Sequence, residues 1–252
     1  MKNELNKLVD IIKKLRSPNG CEWDKEQTHK SLIPYLLEET YEVIEAINKN
    51  DYDGLKEELG DLLLHVLFQA ELASENNKFS INDSILNINN KLISRHPHIF
   101  DDKNDNSYVK GNWELSKQKE KNRKSVLDGV PKYLPALLKS RRIQEKASGV
   151  GFDWDKLEQV IDKVDEELDE LKEAIRINKG KEEELGDLLF AVVNLSRHLN
   201  LDPENALNNA IDKFAKRFYK IELKLKIKNI RMQDLTLEEL DVIWNDIKLK
   251  EK

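Results

Sequence analysis

Residues 36–47 read LLEETYEVIEAI, and residues 164–175 read VDEELDELKEAI. On a helical wheel at roughly 100° per residue, Leu36, Leu37, Thr40, Val43, Ile44 and Ile47 form one apolar stripe. Glu39 and Glu42 fall on the flank of that stripe, one turn apart, while Glu38 and Glu45 face the opposite, solvated side. The next stretch behaves alike: Leu55, Leu59, Leu62, Leu63 and Val66 make the stripe, with Glu58 and Asp61 beside it. In the second half, Glu167, Glu170, Glu184 and Asp187 flank Val164, Leu168, Leu171, Leu185 and Leu188. Each pair of stretches therefore predicts two helices whose acids meet at the edge of an apolar core.

The rest of the chain is written in the same period. Apolar residues recur at helical spacing and predict helices near 3–15, 31–48, 54–75, 81–95, 109–122, 134–147, 156–177, 182–198, 204–226 and 236–250. Asp202-Pro203 reads as an N-cap with proline at the first helical position, and Thr236 with Glu239 as a capping box. No alternating strand pattern stands out, so the fold class is all-α.

The acid-bearing helices belong to a longer internal repeat. Gly20-Cys21-Glu22-Trp23-Asp24 returns as Gly151-Phe152-Asp153-Trp154-Asp155, and Glu58-Leu59-Gly60-Asp61 as Glu184-Leu185-Gly186-Asp187. Lys91 and Arg95 return as Lys213 and Arg217, and Trp113 with Lys117 as Trp244 with Lys248. Blocks in the same order at offsets of roughly 122 to 131 make the chain two copies of one helical unit, 1–125 and 126–252.

Composition narrows the function classes. Charged residues are 36% of the 252, with 9 glycines and 6 prolines, which suits amphipathic helices rather than sheet. A net charge of −6 argues against stable nucleic-acid binding, which needs clustered cations. No apolar run approaches the ~20 residues of a membrane helix. The first ten residues carry Glu4 and Asp10 and no apolar signal core. One cysteine, Cys21, forms no internal disulfide; these features together lead us to expect a reducing, cytoplasmic setting.

Four carboxylates at the edge of a core repel one another and resist ionisation as they are buried. A hard divalent cation removes that conflict, and oxygen-only ligation suits Mg²⁺, with Mn²⁺ as substitute. Solvated acids are the ordinary state of a helix surface, but recurrence of all four on the same flank favours a metal. A di-iron bundle would require Glu-x-x-His on two helices. Here an aspartate stands three after Glu58 and Glu184, and Glu26-x-x-His29 has no counterpart in the second copy. A noncatalytic acidic adaptor would turn its acids to solvent. A third reading keeps one copy catalytic and the other for assembly or regulation. Lys213 and Arg217, at i and i+4, suit phosphate charge. Cys21, with Phe152 as counterpart, suggests packing; Trp23, Trp113, Trp154 and Trp244 could each stack a planar ring, with Trp23 and Trp154 more often packing a helix start and Trp244 the better stacking candidate.

With these motifs the sequence resembles the MazG-type nucleoside triphosphate pyrophosphohydrolases, in its tandem two-copy form. The resemblance rests on Glu-Glu-x-x-Glu followed by Glu-x-x-Asp in both copies. It extends through Arg16 to Asp24, Gln27-Thr28-His29, Arg95-His96-Pro97-His98 and Val150 to Trp154, and it spans the chain. It implies Mg²⁺-dependent cleavage of a nucleoside triphosphate to the monophosphate and pyrophosphate, with broad base tolerance. It also implies bundle-like cores completed by homodimerisation. Carried over, Glu167, Glu170, Glu184 and Asp187 would hold metal and carry catalysis in the second copy. Glu39, Glu42, Glu58 and Asp61 are the corresponding metal ligands of the first. Lys213, Arg217, Lys91 and Arg95 would contact phosphates, and Trp244 would lie near the base. Glu38 and Glu166 are spare acids for general-base duty.

Overall fold

A computed structural model describes residues 2–100 and 124–251, which form two compact units, one on each side of the intervening stretch. The expected helix at 109–122, with Trp113 and Lys117, lies outside the described residues. Among the described residues the structure is helical and turn, with no strand.

The first unit comprises α1 (Lys2–Arg16), α2 (Glu22–Glu26), α3 (Ile33–Lys49), α4 (Tyr52–Glu75), α5 (Ile81–Arg95) and the short α6 (Pro97–Phe100). α3 and α4 pack as a hairpin, and α1 and α5 lie against α4. The hairpin turn is dictated locally. Asn50 adopts left-handed φ 55° and closes α3, then Asp51 caps α4 by accepting from the Gly54 amide at 3.0 Å. Its core is Ile12, Leu32, Leu67, Phe68 and Leu72. Arg16 locks the intervening loop over that core. Its Nε and Nη2 each donate to Glu75 at 2.7 Å, its guanidinium lies 5.2 Å from the Phe68 ring centroid, and Nη1 donates to the carbonyls of Asp24 and Gln27. Gly20 is required here, because a Cβ would stand 2.0 Å from the Leu15 carbonyl oxygen.

The second unit comprises α7 (Ala136–Ser148), α8 (Leu157–Ile177), α9 (Lys181–His198), α10 (Pro203–Ile227) and α11 (Leu237–Leu249), with a 3-10 turn at Met232–Asp234. α8 and α9 repeat the hairpin, closed by Asn178 at φ 57° and Gly180 at φ 77°. α9 and α10 pack on α7, and α10 with α11 encloses Ile221, Leu225 and Ile247. Both expected caps are present. Asp202 accepts from the Asn205 amide at 2.8 Å, and Thr236 and Glu239 exchange bonds of 2.8 and 3.3 Å.

The wheel expectation is met for the helices but not for their burial. The wheel places Leu37, Ile44, Ile47, Leu59, Leu63 and Val66 in the apolar stripes, yet each is 40–54% exposed. In the second unit Leu168, Leu185 and Leu189 are exposed in the same way. The reason is geometric: an apolar stripe much wider than one helix contact has two flanks. The partner helix of the hairpin covers one flank and leaves the other open.

Thr236→Ala is expected to lower stability by about 1 kcal/mol through loss of the cap, read as a shift in the urea midpoint with an unchanged slope.

Candidate active site

The hairpins bring the repeated acids together. In the first unit Glu39 from α3 and Glu58 and Asp61 from α4 place one carboxylate oxygen each within 4.8 Å of the others. In the second, Glu167 from α8 and Glu184 and Asp187 from α9 do the same. Glu42 joins the first group, sharing a hydrogen bond with Glu39, and Glu170 lies close enough to Glu167 and Glu184 for their charges to act on it. All eight sequence-predicted carboxylates thus fall into two clusters of four, as two short helical spacings on a hairpin require.

The cost of this crowding is visible in protonation. Burial, and then the charges of Asp61 and Glu42, push the Glu39 carboxyl up to about 7. Burial and the neighbouring carboxylates also raise Glu58 and Glu170. The donor set is all oxygen, so it fits a hard divalent cation, which would hold every acid ionised.

The two clusters differ in their surroundings. In the register that aligns Glu39 with Glu167 and Glu58 with Glu184, Tyr35, His65 and Phe68 correspond to Lys163, Ala191 and Asn194. In the first unit Tyr35 stacks on His65, centroids 6.5 Å apart at 9°, with Trp23 edge-on to Tyr35 at 5.9 Å. His65 is 8% exposed, with Nε2 4.0 Å from Glu39, and burial depresses its basicity, so it offers little charge to the acids. In the second unit Lys163 takes that place, 2.7 Å from Glu167 and 2.8 Å from Glu166. These two contacts raise the lysine's pKa and tie it to the cluster. Lys163 was not singled out in the sequence, although its position four before Glu167 was the signal. Its bond to Glu166 also means that this acid is engaged rather than spare.

A cavity of about 680 Å³ opens beside Glu167 and Asp187, with Phe152 and Trp154 on its wall. Both residues are partly exposed there, at 82% and 40%, so neither is simply core packing. On its wall Asp153 accepts from Nη1 and Nη2 of Arg197, which holds its carboxyl far below the usual range against the opposing effect of burial.

The predicted cations do not line that cavity. Arg217 on α10 donates to Glu251 at 2.7 Å and stands 5.7 Å from the Trp244 ring, which packs on Phe214. Lys213 is exposed on the same helix, and Lys91 and Arg95 are half-buried on α5. Neither Arg217 nor Trp244 lines the cavity.

The profile of the MazG nucleotide pyrophosphohydrolase domain matches residues 27–100 and 156–221, one match over each acid hairpin. The chain belongs to the MazG family. A nucleoside triphosphate pyrophosphohydrolase/pyrophosphatase MazG of Thermotoga maritima is 51% identical over 96% of this chain and 94% of its own length. A nucleoside triphosphate pyrophosphohydrolase of Escherichia coli (strain K12) is 44% identical over 99% and 98%. Bacillus subtilis YabN is 43% identical over 99% of this chain but 53% of its own length. The tandem MazG organisation is thus shared at nearly full length with two relatives named for this activity.

Because burial and the neighbouring carboxylates push the Glu39 carboxyl up to about 7 from its ordinary 4.5, the folded state holds its proton more tightly. Its contribution to metal-free stability is present below pH 4.5 and lost as pH rises through about 7. Denaturation across that range is expected to show this fall, and Glu39→Gln to flatten it.

Proposed function

We propose that the protein is a nucleoside triphosphate pyrophosphohydrolase that uses Mg²⁺, with Mn²⁺ as substitute, to cleave an NTP to NMP and pyrophosphate. The observation that carries this reading is the cluster of Glu167, Glu184 and Asp187, with Glu170 beside it, at the mouth of a cavity. A cation bound there would neutralise polyphosphate and supply acidified water at neutral pH. The second unit is the better hydrolytic candidate, because Lys163 adds a cation to its cluster where the first unit has Tyr35. Glu39, Glu42, Glu58 and Asp61 form a second metal site, kept for assembly or regulation. An acidic adaptor would turn its acids to solvent, which fits the exposed Glu170 and Asp187 but not Glu167, which is 6% exposed.

Glu167, Glu170, Glu184 and Asp187 would hold the cation and so orient the phosphates. Lys163 balances Glu167 before the cation arrives and is then free to turn to a phosphate oxygen. Lys213 and Arg217 would neutralise developing phosphate charge, and Lys91 and Arg95 do so in the first unit. Trp244 contributes by supporting the Arg217 guanidinium.

The exposed apolar flanks of both hairpins support a homodimer. Gly60 and Gly186 point the same way, because a Cβ on either would meet nothing within 4 Å in the single chain. A helix-interior glycine costs roughly 1 kcal/mol relative to alanine, and close approach of a second copy would offset that cost. No described helix is long and apolar enough to cross a membrane. The chain's 1–125 and 126–252 halves are proposed as the two units, with the cytoplasm as their setting.

Product analysis of a panel of NTPs with Mg²⁺ tests the activity, with NMP and pyrophosphate expected in equal amounts. Glu170→Ala or Asp187→Ala should lower turnover by on the order of 10²-fold, and Glu42→Ala should have a far smaller effect. Loss in Glu42→Ala alone would move the site to the first unit, and orthophosphate without NMP would refute the reading. Light scattering is expected to give twice the chain mass, and Leu185→Arg to halve it.

A further inference from the structure

An imidazole stands beside the acids of the first unit where the second unit carries a methyl group. Glu58, Asp61 and His65 occupy i, i+3 and i+7 of α4, so all three lie on one face of that helix. The same face meets Glu39 across the hairpin. His65 is 8% exposed, and its Nε2 lies 4.0 Å from Oε1 of Glu39. Two donors at that separation can share one ion, since a metal–nitrogen and a metal–oxygen bond together span about 4.2 Å.

No hydrogen bond accounts for the burial of this ring. Its approach to Glu39 is too long for one, and Nδ1 meets no partner among the described residues. Buried polar groups are ordinarily paired, so an imidazole held without a partner calls for a reason. Shape holds it instead: Tyr35 stacks on the ring, centroids 6.5 Å apart at 9°, and Trp23 meets Tyr35 edge-on at 5.9 Å. The stack keeps Nε2 turned toward the acids, and a neutral imidazole nitrogen in that place has the chemistry of a metal ligand. Ala191 has no such nitrogen, so the donors of the second unit are the oxygens of Glu167, Glu184 and Asp187, with Glu170 beside them. Oxygen-only donors suit Mg²⁺, whereas an added imidazole favours the first-row transition metals.

We propose that the first unit holds a first-row transition-metal dication through Glu39, Glu58, Asp61 and His65, while the second unit holds Mg²⁺. The assignment rests on the reading of both clusters as metal sites and deepens it. His65 is the residue that makes the two sites chemically unlike, although their acids are the same. Occupancy of the first site then follows the transition metal even when Mg²⁺ is in excess, and so does any part that site plays in assembly or regulation.

The test loads the full-length protein with Mn²⁺ in the presence of excess Mg²⁺ and no nucleotide. Electron spin-echo spectroscopy then detects a coordinated imidazole through the coupling of its nitrogen to the Mn²⁺ spin. The unmodified protein should retain Mn²⁺ and show that coupling. His65→Ala should abolish it and weaken the Mn²⁺ that survives Mg²⁺ competition by about tenfold or more. His65→Gln, closer in size and still polar, should do the same, and circular dichroism reports whether each variant is folded. Bound Mn²⁺ without nitrogen coupling in the unmodified protein would overturn the proposal, and that result needs no variant to fold. Coupling that persists in folded His65→Ala would also overturn it, by giving the nitrogen to another group. Failure of Glu167→Gln/Asp187→Asn to bind any Mn²⁺ would remove the first metal site itself and the proposal with it. Pyrophosphate release depends on the second unit, so its failure would refute the hydrolase reading and leave these spectra unchanged.

Discussion

Everything in this protein is arranged around an electrostatic conflict: four carboxylates held at the edge of an apolar helical hairpin. The spacings Glu-x-x-Glu and Glu-x-x-Asp put both acids of each helix on one flank, and the three-residue or shorter turns at Asn50 and Asn178 bring the flanks together. The hydrophobic stripe that packs the hairpin thereby forces like charges into proximity. Without a counter-ion the conflict appears as protonation, with Glu39 pushed up to about 7. Carboxylates whose ionised form the fold itself resists are the usual signature of a site selected for binding rather than for folding.

The two units resolve the conflict differently. In the second, Lys163 reaches Glu167 and Glu166, and the wall beyond it retreats to form a cavity. In the first, an aromatic stack occupies the corresponding position, and the Glu39 carboxyl faces a histidine whose own charge is suppressed by burial. Duplication has preserved the hairpin and its acids while the residues around them have diverged. A common cluster with unequal access is the physical form of the division of labour proposed above.

Much of this was legible in the sequence because it depends on local rules. Helical periodicity, the Asp202-Pro203 and Thr236–Glu239 caps and the i, i+3 acids are determined within a turn or two. The repeat then identified which acids belong together, since Glu39, Glu58 and Asp61 share no sequence neighbourhood. What was not legible depends on third dimensions of packing. The stripe through Leu37, Ile44 and Ile47 has the period of a core, and period alone does not say whether the cover comes from the same chain. Lys163 looked like one cation among many on a charged helix, and the cavity emerged from three substitutions on two helices that become neighbours only after folding. Trp154, read from the sequence as helix-start packing, also lines that cavity, together with Phe152.

Binding of a divalent cation by the second cluster, through acids from both α8 and α9, is the step on which the proposed chemistry depends. It is tested most directly by counting Mn²⁺ ions bound to the nucleotide-free protein and to Glu167→Gln/Asp187→Asn, using the electron paramagnetic resonance signal of free Mn²⁺. The double variant is expected to lose the sites of the second unit and to retain those of the first. An unchanged number and affinity of bound Mn²⁺ ions would contradict it.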